Sequence, residues 1–132
     1  MAKLGAKAGW SENYVQSITA STTLVASDSG KVFTVATDAL VITLPACEAG
    51  LKFTFVNTGA DDNNIITISP QATDGIFGTI NLADSVVELG GVANKDLINT
   101  KSGSVKGDSC TLVSDGADWY VIAATGIWAA EA

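Results

Sequence analysis

Carboxylates are the side chains of this sequence whose number and spacing come closest to supporting chemistry. The chain has 14 Asp and Glu residues and 7 Lys, but no Arg and no His, which gives a net charge of −7. Residues 61–64 read Asp-Asp-Asn-Asn, and their oxygens could hold Ca²⁺. Asp115 and Asp118 form a second acidic run, residues 115–118, at the tip of a predicted hairpin. Both runs fall in predicted loops and neither has the ligand order of an EF-hand, so the sequence favours solvated turns over a metal or catalytic site.

The missing residue types exclude several classes of activity. Without His there can be no Ser-His-Asp or Cys-His nucleophilic site and no imidazole base. Without Arg there is no bidentate clamp for phosphate or carboxylate. Scattered Lys residues in an acidic chain do not match a nucleic-acid surface or an anionic membrane surface. The sequence therefore predicts a protein that is not an enzyme, needs no cofactor, and binds neither nucleic acid nor membrane.

Two thiols, Cys47 and Cys110, are compatible with one disulfide or with two free cysteines. No segment approaches the roughly 20 apolar residues of a membrane span. The first ten residues contain Lys but no apolar core of a secretory signal, so we expect folding in a cytoplasm. Free thiols are the favoured state in that reducing compartment, and two cysteines without His make a poor zinc site.

Sequence patterns predict the strands and turns that hold these side chains. From residue 51 to residue 57 apolar and polar side chains alternate, which is typical of a half-buried strand and puts Phe53 and Phe55 on the buried face. About eight or nine short strands follow one another between Thr22 and Ala124, separated by Gly-, Asp- and Asn-rich turns. The sequence predicts a single all-β domain over residues 21–132, a β-sandwich or a jelly roll.

Residues 1–20 differ from the rest because they show no sustained period of 2 or 3.6. They predict an extended N-terminal arm, with Trp10 and Tyr14 as its bulky aromatic residues. Trp119 lies next to a predicted hairpin and is expected in the core. Trp128 lies near the other end of the chain, outside the best strands. Exposed Trp and Tyr are enriched at interfaces, so Trp10, Tyr14 and Trp128 are the candidate contacts with a subunit or partner.

The low charge of the chain also indicates contact with a partner. Apolar residues make up 47% of the chain and charged residues only 16%, against about 25% charged in ordinary domains. Such a composition indicates that part of the surface is covered by a partner.

Two segments carry a resemblance to a known family. Residues 40–46 and 50–59 read as a strand ending in Leu-Pro-Ala and then Gly-x-Lys-Phe-Thr-Phe-x-Asn-Thr-Gly, followed by a polar loop and Ile-Thr-Ile-x-Pro. Residues 107–122 read Gly-Asp-Ser-Cys-Thr-Leu-x-Ser-Asp-Gly-Ala-Asp-Trp-Tyr-Val-Ile. This order, spanning residues 22–124, resembles the head-decoration (cement) proteins of tailed bacteriophages and the related β-domains of head and tail fibres.

The resemblance implies a β-rich, non-enzymatic virion protein, commonly a homotrimer. A short arm before one domain favours decoration, because fibre proteins usually carry a long shaft before such a domain. The implied partner is the major capsid protein on the outer head surface, where the trimer would stabilise the shell. The alternative is a small tail or fibre component that binds host glycan or another virion protein. A polysaccharide hydrolase is the least favoured class.

Overall fold

Alternating side chains along the chain produce twelve strands in the part that the structure, a computed structural model, describes: residues 14–82 and 85–132. Short 3-10 helices cover Ala26–Asp28 and Lys101–Gly103. The strands are β1 (Val15–Ile18), β2 (Thr22–Thr23), β3 (Val32–Val35), β4 (Leu40–Thr43), β5 (Lys52–Asn57), β6 (Ile66–Ser69), β7 (Ile76–Asn81), β8 (Val86–Gly90), β9 (Leu97–Asn99), β10 (Ser109–Ser114), β11 (Trp119–Thr125) and β12 (Trp128–Ala130).

These strands form two mixed sheets. The large sheet has seven strands in the order β1-β3-β5-β10-β11-β7-β8, and the small sheet has five in the order β12-β9-β6-β4-β2. Each sheet buries one face against the other, so the predicted all-β sandwich is confirmed. No helix among the described residues is long and apolar enough to cross a membrane.

The first half of the chain winds in coils between the two sheets. Strands β1, β3 and β5 lie parallel in the large sheet, and β2, β4 and β6 lie parallel in the small sheet. Each coil therefore runs along one sheet, crosses the sandwich and returns along the other. Stacking places equivalent side chains in register: Phe33 lies beside Gln16 and Phe55, and Ile42 lies beside Ile68.

The second half is largely antiparallel. Hairpins β7-β8 and β10-β11 join the large sheet, and β10 pairs with β5. Strand β9 pairs with β6 and β12 in the small sheet. A jelly roll is built from two antiparallel Greek keys. The parallel coils replace that arrangement here, so the jelly-roll form of the prediction does not describe this topology.

The core fills the space between the sheets. Phe53 and Phe55, expected on the buried face of their strand, are both 0% exposed. Phe33 stacks on Phe55 with ring centroids 5.8 Å apart, and Phe53 packs against Trp119 at the same distance. The predicted core position of Trp119 is therefore confirmed. The small sheet contributes mainly aliphatic side chains and one aromatic: Ile42, Ile66, Ile68, Leu97 and Trp128.

The domain begins earlier in the chain than the sequence predicted. Residues 1–13, including Trp10, lie outside the described residues. The sequence also assigned residues 15–18 to the arm, but in the structure they form β1, which pairs in parallel with β3 and buries Ile18. Four residues are too short for a strand period to stand out, which explains why the sequence pattern did not reveal this strand.

Candidate functional site

The acidic run at residues 61–64 forms a turn held by backbone contacts. Asp61 accepts a hydrogen bond from the Lys106 N–H at 2.8 Å, and the Asp62 N–H donates to the Ser104 carbonyl at 2.7 Å. Asn64 is fully buried. Across residues 14–82 and 85–132, no group of three or more His, Cys, Asp or Glu side chains is placed to hold a metal ion.

The second acidic run closes the β10-β11 hairpin. One oxygen of Asp115 accepts hydrogen bonds from the N–H groups of Ala117 (2.9 Å) and Asp118 (3.0 Å). These bonds, that of Asp118 first, hold the pKa of Asp115 below its usual value. A hydrogen bond to Asp115 raises the pKa of Tyr120. The carboxylate shapes the turn, as the sequence indicated.

Neither thiol has the properties of a nucleophile. Burial raises the pKa of Cys47 to about 11, and nearby Asp74 adds to the increase. Cys110 is 1% exposed, and burial alone raises its pKa. Reactive cysteines instead have lowered pKa values in electropositive sites. Both cysteines are free in the structure.

A buried polar chain connects the two sheets at one end of the sandwich. Asn57 of β5 donates to Asn99 of β9 at 2.8 Å, and Asn99 donates to Asp108 at 3.0 Å and to the Ile127 carbonyl at 3.0 Å. Asp108 also accepts from the Val105 N–H at 2.9 Å. Buried polar groups that are bonded within the chain fix a unique packing. We therefore interpret this chain as structural; sequence patterning missed it because its members lie far apart in sequence.

The strand surfaces are almost free of charge. Within the strands of the described residues, only Lys52 and Glu88 are charged. The other charges of the described residues lie in turns, loops and the two 3-10 helices. On the large sheet we define the outer face as the outward side chains of three adjacent strands, β3, β5 and β10: Val32, Thr34, Lys52, Thr54, Val56, Ser109, Thr111 and Val113. The core of a protein interface is likewise poor in charged residues.

An aromatic pair extends the outer face toward β7. Phe77 and Tyr120 stack with ring centroids 5.6 Å apart, and both are half-buried. Beside them β7 and β11 pair over only two residues and then separate. The resulting groove of about 320 Å³ is lined by Gly78, Thr79, Asn81 and residues 121–124, with Thr79 and Asn81 as its polar side chains.

The candidate contact aromatics have different environments. Trp128 is 0% exposed, and its indole N–H donates to the Thr125 carbonyl at 3.0 Å. It belongs to the core in this fold and presents no surface to a partner, so its assignment as a contact is corrected. Tyr14 is 38% exposed at the start of β1. Trp10 lies outside the described residues, so its assignment stays a prediction.

Comparison with known proteins finds no family model that matches this chain and no curated protein that is similar to it.

Proposed function

We propose that this chain is a structural, non-enzymatic virion protein. In this proposal it is a decoration (cement) protein of a tailed bacteriophage, made in the host cytoplasm, that binds the major capsid protein on the outer head surface. Its unit of assembly is a homotrimer. The outer face of the large sheet forms the contact between subunits, and each trimer bridges neighbouring capsid subunits.

The near absence of charge on the strand surfaces is the observation that carries this proposal. In a chain of net charge −7, an isolated domain would be expected to place charged side chains on its exposed strands as well as in its loops. Among the strands of residues 14–82 and 85–132, only Lys52 and Glu88 do so. An uncharged sheet face loses little hydration free energy when another protein covers it, because it holds few ionised groups to desolvate.

The large sheet is the better candidate for the subunit contact. It is the wider sheet and carries the Phe77–Tyr120 pair. It also holds Lys52 and Glu88, which a contact on this sheet has to pair or leave at its rim. Aromatic side chains are enriched where interfaces are fully buried. Three copies related by a closed threefold axis would bury this face around the axis. The small sheet and the loops would then remain available to the capsid.

A mechanical role fits the packing of the sandwich. Stacked coils place Phe33 on Phe55 and Ile42 on Ile68, and the Asn57–Asn99 bond connects the two sheets. Closely packed cores are stiff and transmit strain. A stiff trimer that bridges capsid subunits would resist their separation under internal pressure.

Binding to virus particles tests the function directly. Purified protein would be mixed with particles that lack their own copies and then sedimented, and the bound copies would be counted per particle. The proposal predicts saturable binding at hundreds of copies per particle, in multiples of three. Binding at a few to dozens of copies, restricted to the tail, would overturn the decoration role in favour of a tail component.

The alternative, a tail or fibre component that binds host glycan, has one supporting observation. The groove beside Phe77 and Tyr120 offers the Thr79 hydroxyl and the Asn81 amide to a polar ligand. Trp119 is fully buried and cannot stack on a sugar ring. Glycan-array binding that is lost in Asn81→Ala would favour this function, whereas no binding to any glycan on the array would exclude it at this groove.

A further inference from the structure

Both sheets end at the same place with an open edge. Strand β1 is the last strand of the large sheet and β2 is the last strand of the small sheet, and only three residues connect them. In the part of the chain that the structure describes, no strand pairs with the outer edge of either one. A groove of about 250 Å³, lined by residues 16–22, follows this end. We call this surface the β1/β2 end.

Open coils of this kind are normally capped. Stacked-repeat folds need terminal units with a polar outer surface, and exposed edge strands usually carry Lys, Pro or a bulge that blocks further pairing. The strands of the β1/β2 end carry none of these residues themselves, and a nearby charge comes from Lys31, whose ammonium group donates to the Gln16 side chain at 3.2 Å and pairs with Asp28. Residues 13–27 contain no charged residue, no Pro and no Gly, and Val15 is 55% exposed.

The opposite end of the sandwich provides an internal comparison. There β8 carries the exposed Glu88, and β12 is followed by Glu131, which forms an ion pair with Lys95 at 3.3 Å. Charges therefore accompany both edge strands at that end. At the β1/β2 end the strands themselves carry no charge and the neighbouring Lys31 is already paired with Asp28, so this edge fits an uncharged β-strand.

We propose that the β1/β2 end binds the same end of a second copy of this chain, with β1 pairing antiparallel to β1 and β2 to β2. The strand itself supplies the required chemistry, because Val, Ile and Thr favour strands and are uncharged. Residues 1–9 fit the edge less well, since they include three Ala, two Lys and two Gly, types that are depleted in strands. This contact lies at the sheet edge rather than on the outer face. Because Ser17 is the register partner of Thr34 on that face, the mass at low micromolar concentration shows separately whether a Ser17 variant also disturbs the proposed trimer.

Symmetry and the alternation of side chains restrict the register of this pairing. In β1, Val15 and Ser17 point outward, whereas Ile18 points into the core. A twofold axis perpendicular to the sheets keeps the two outer faces on the same side, as an isologous contact requires. In such a pairing, outward side chains lie opposite outward side chains when the twofold axis passes beside a residue rather than between two residues. The registers that keep most of β1 paired are those with the axis beside Gln16 or beside Ser17, its two middle residues. Because the two strands are short, the contact is weak and depends on concentration.

Charge placed at Ser17 tests the pairing, because this side chain is exposed and lies near the twofold axis in either register. Like charges that face each other across antiparallel strands are destabilising. Sedimentation velocity would compare wild type, Ser17→Lys, Ser17→Glu and an equimolar mixture of the two variants, from low micromolar to millimolar protein. Val86→Lys, at a 65% exposed position on the opposite edge, is the matched control.

The proposal predicts that the wild-type mass at least doubles toward millimolar concentration, whether the starting unit is a monomer with one β1/β2 end or a trimer with three. Each single Ser17 variant should lose the doubling, their mixture should recover it, and Val86→Lys should keep it. Doubling that survives in Ser17→Lys would overturn the proposal, as would wild-type protein that never doubles. Doubling that appears only after removal of residues 1–13 would overturn it too, and would assign the end to the chain's own N-terminal segment.

Discussion

At the residue scale, polar side chains determine how tightly the two sheets are joined. Asn57, Asn99 and Asp108 connect them through hydrogen bonds of 2.8 and 3.0 Å while remaining almost fully buried. Removing one partner from such a network leaves the others unpaired and desolvated. The backbone around the network has little room for change, and a pair of glycines allows that to be measured.

Gly126→Ala should destabilise the protein more than Gly107→Ala. Both glycines have positive φ, +95° and +104°, so both substitutions share the cost of a left-handed backbone. A Cβ at Gly107 would contact nothing within 4 Å, whereas a Cβ at Gly126 would overlap the buried Asp108 carboxylate. We expect an additional loss of about 1–3 kcal/mol at Gly126. Urea unfolding of both variants measures it; equal losses would show that Asp108 moves aside freely.

Both thiols should resist alkylation at neutral pH. Burial raises both pKa values, that of Cys47 to about 11, so the folded state keeps protons that the unfolded state releases. Their contribution to stability is complete below the unfolded pKa of about 8.5 and declines as pH rises above it. Mass spectrometry after iodoacetamide treatment at pH 7 and pH 10 measures how far the thiols resist alkylation, with Cys47→Ser as the control. Rapid modification of native protein at pH 7 would contradict it.

At the element scale, the sequence predicted the strands better than their arrangement. Alternation over residues 51–57 correctly identified the strand whose Phe53 and Phe55 are buried, and the Asp-Gly turn identified the β10-β11 hairpin. The parallel coils were not predictable from repetition. Phe33 lies beside Gln16 and Phe55, seventeen and twenty-two residues away, so successive coils differ in length and leave no repeat in the sequence.

Contacts distant in sequence account for the remaining differences. Trp128 lies next to the chain end, yet β12 returns to pair with β9 and places the indole in the core. The polar link from Asn57 to Asn99 spans forty-two residues. Neither local period nor composition carries information about such pairings. The absence of His and Arg, by contrast, is visible in the sequence itself, and it excludes an imidazole base and a guanidinium clamp without any structure.

Strand β1 gives a prediction about truncation. Removing residues 1–13 should leave the unfolding midpoint near that of the wild type, because the first residues of a domain usually contribute little to its stability. Removing residues 1–19 should lower it clearly, since β1 pairs with β3 and Ile18 is only 6% exposed. Thermal unfolding of the two truncations provides the comparison. Equal midpoints would show that β1 does not contribute to the cooperative unit.

At the scale of the whole molecule, the charged side chains of the described residues lie mostly outside the strands. Sheet surfaces with so few charges are suited to being covered by other proteins. Only Lys52 and Glu88 interrupt this pattern among the described strands. The proposed trimer places the large sheet at the subunit contact and leaves the small sheet for other partners. Thr34 and Thr67 are equivalent probes, because both are half-buried threonines that point outward, one from each sheet.

The mass of the assembly at low micromolar concentration tests the proposed assembly most directly. Light scattering should give three subunits for wild type and for Thr67→Glu, but a monomer for Thr34→Glu, because the contact would have to desolvate the carboxylate introduced on the outer face. Circular dichroism would confirm that both variants are folded. A wild-type monomer at this concentration would contradict assembly through the uncharged faces, and dissociation by Thr67→Glu alone would place the contact on the small sheet.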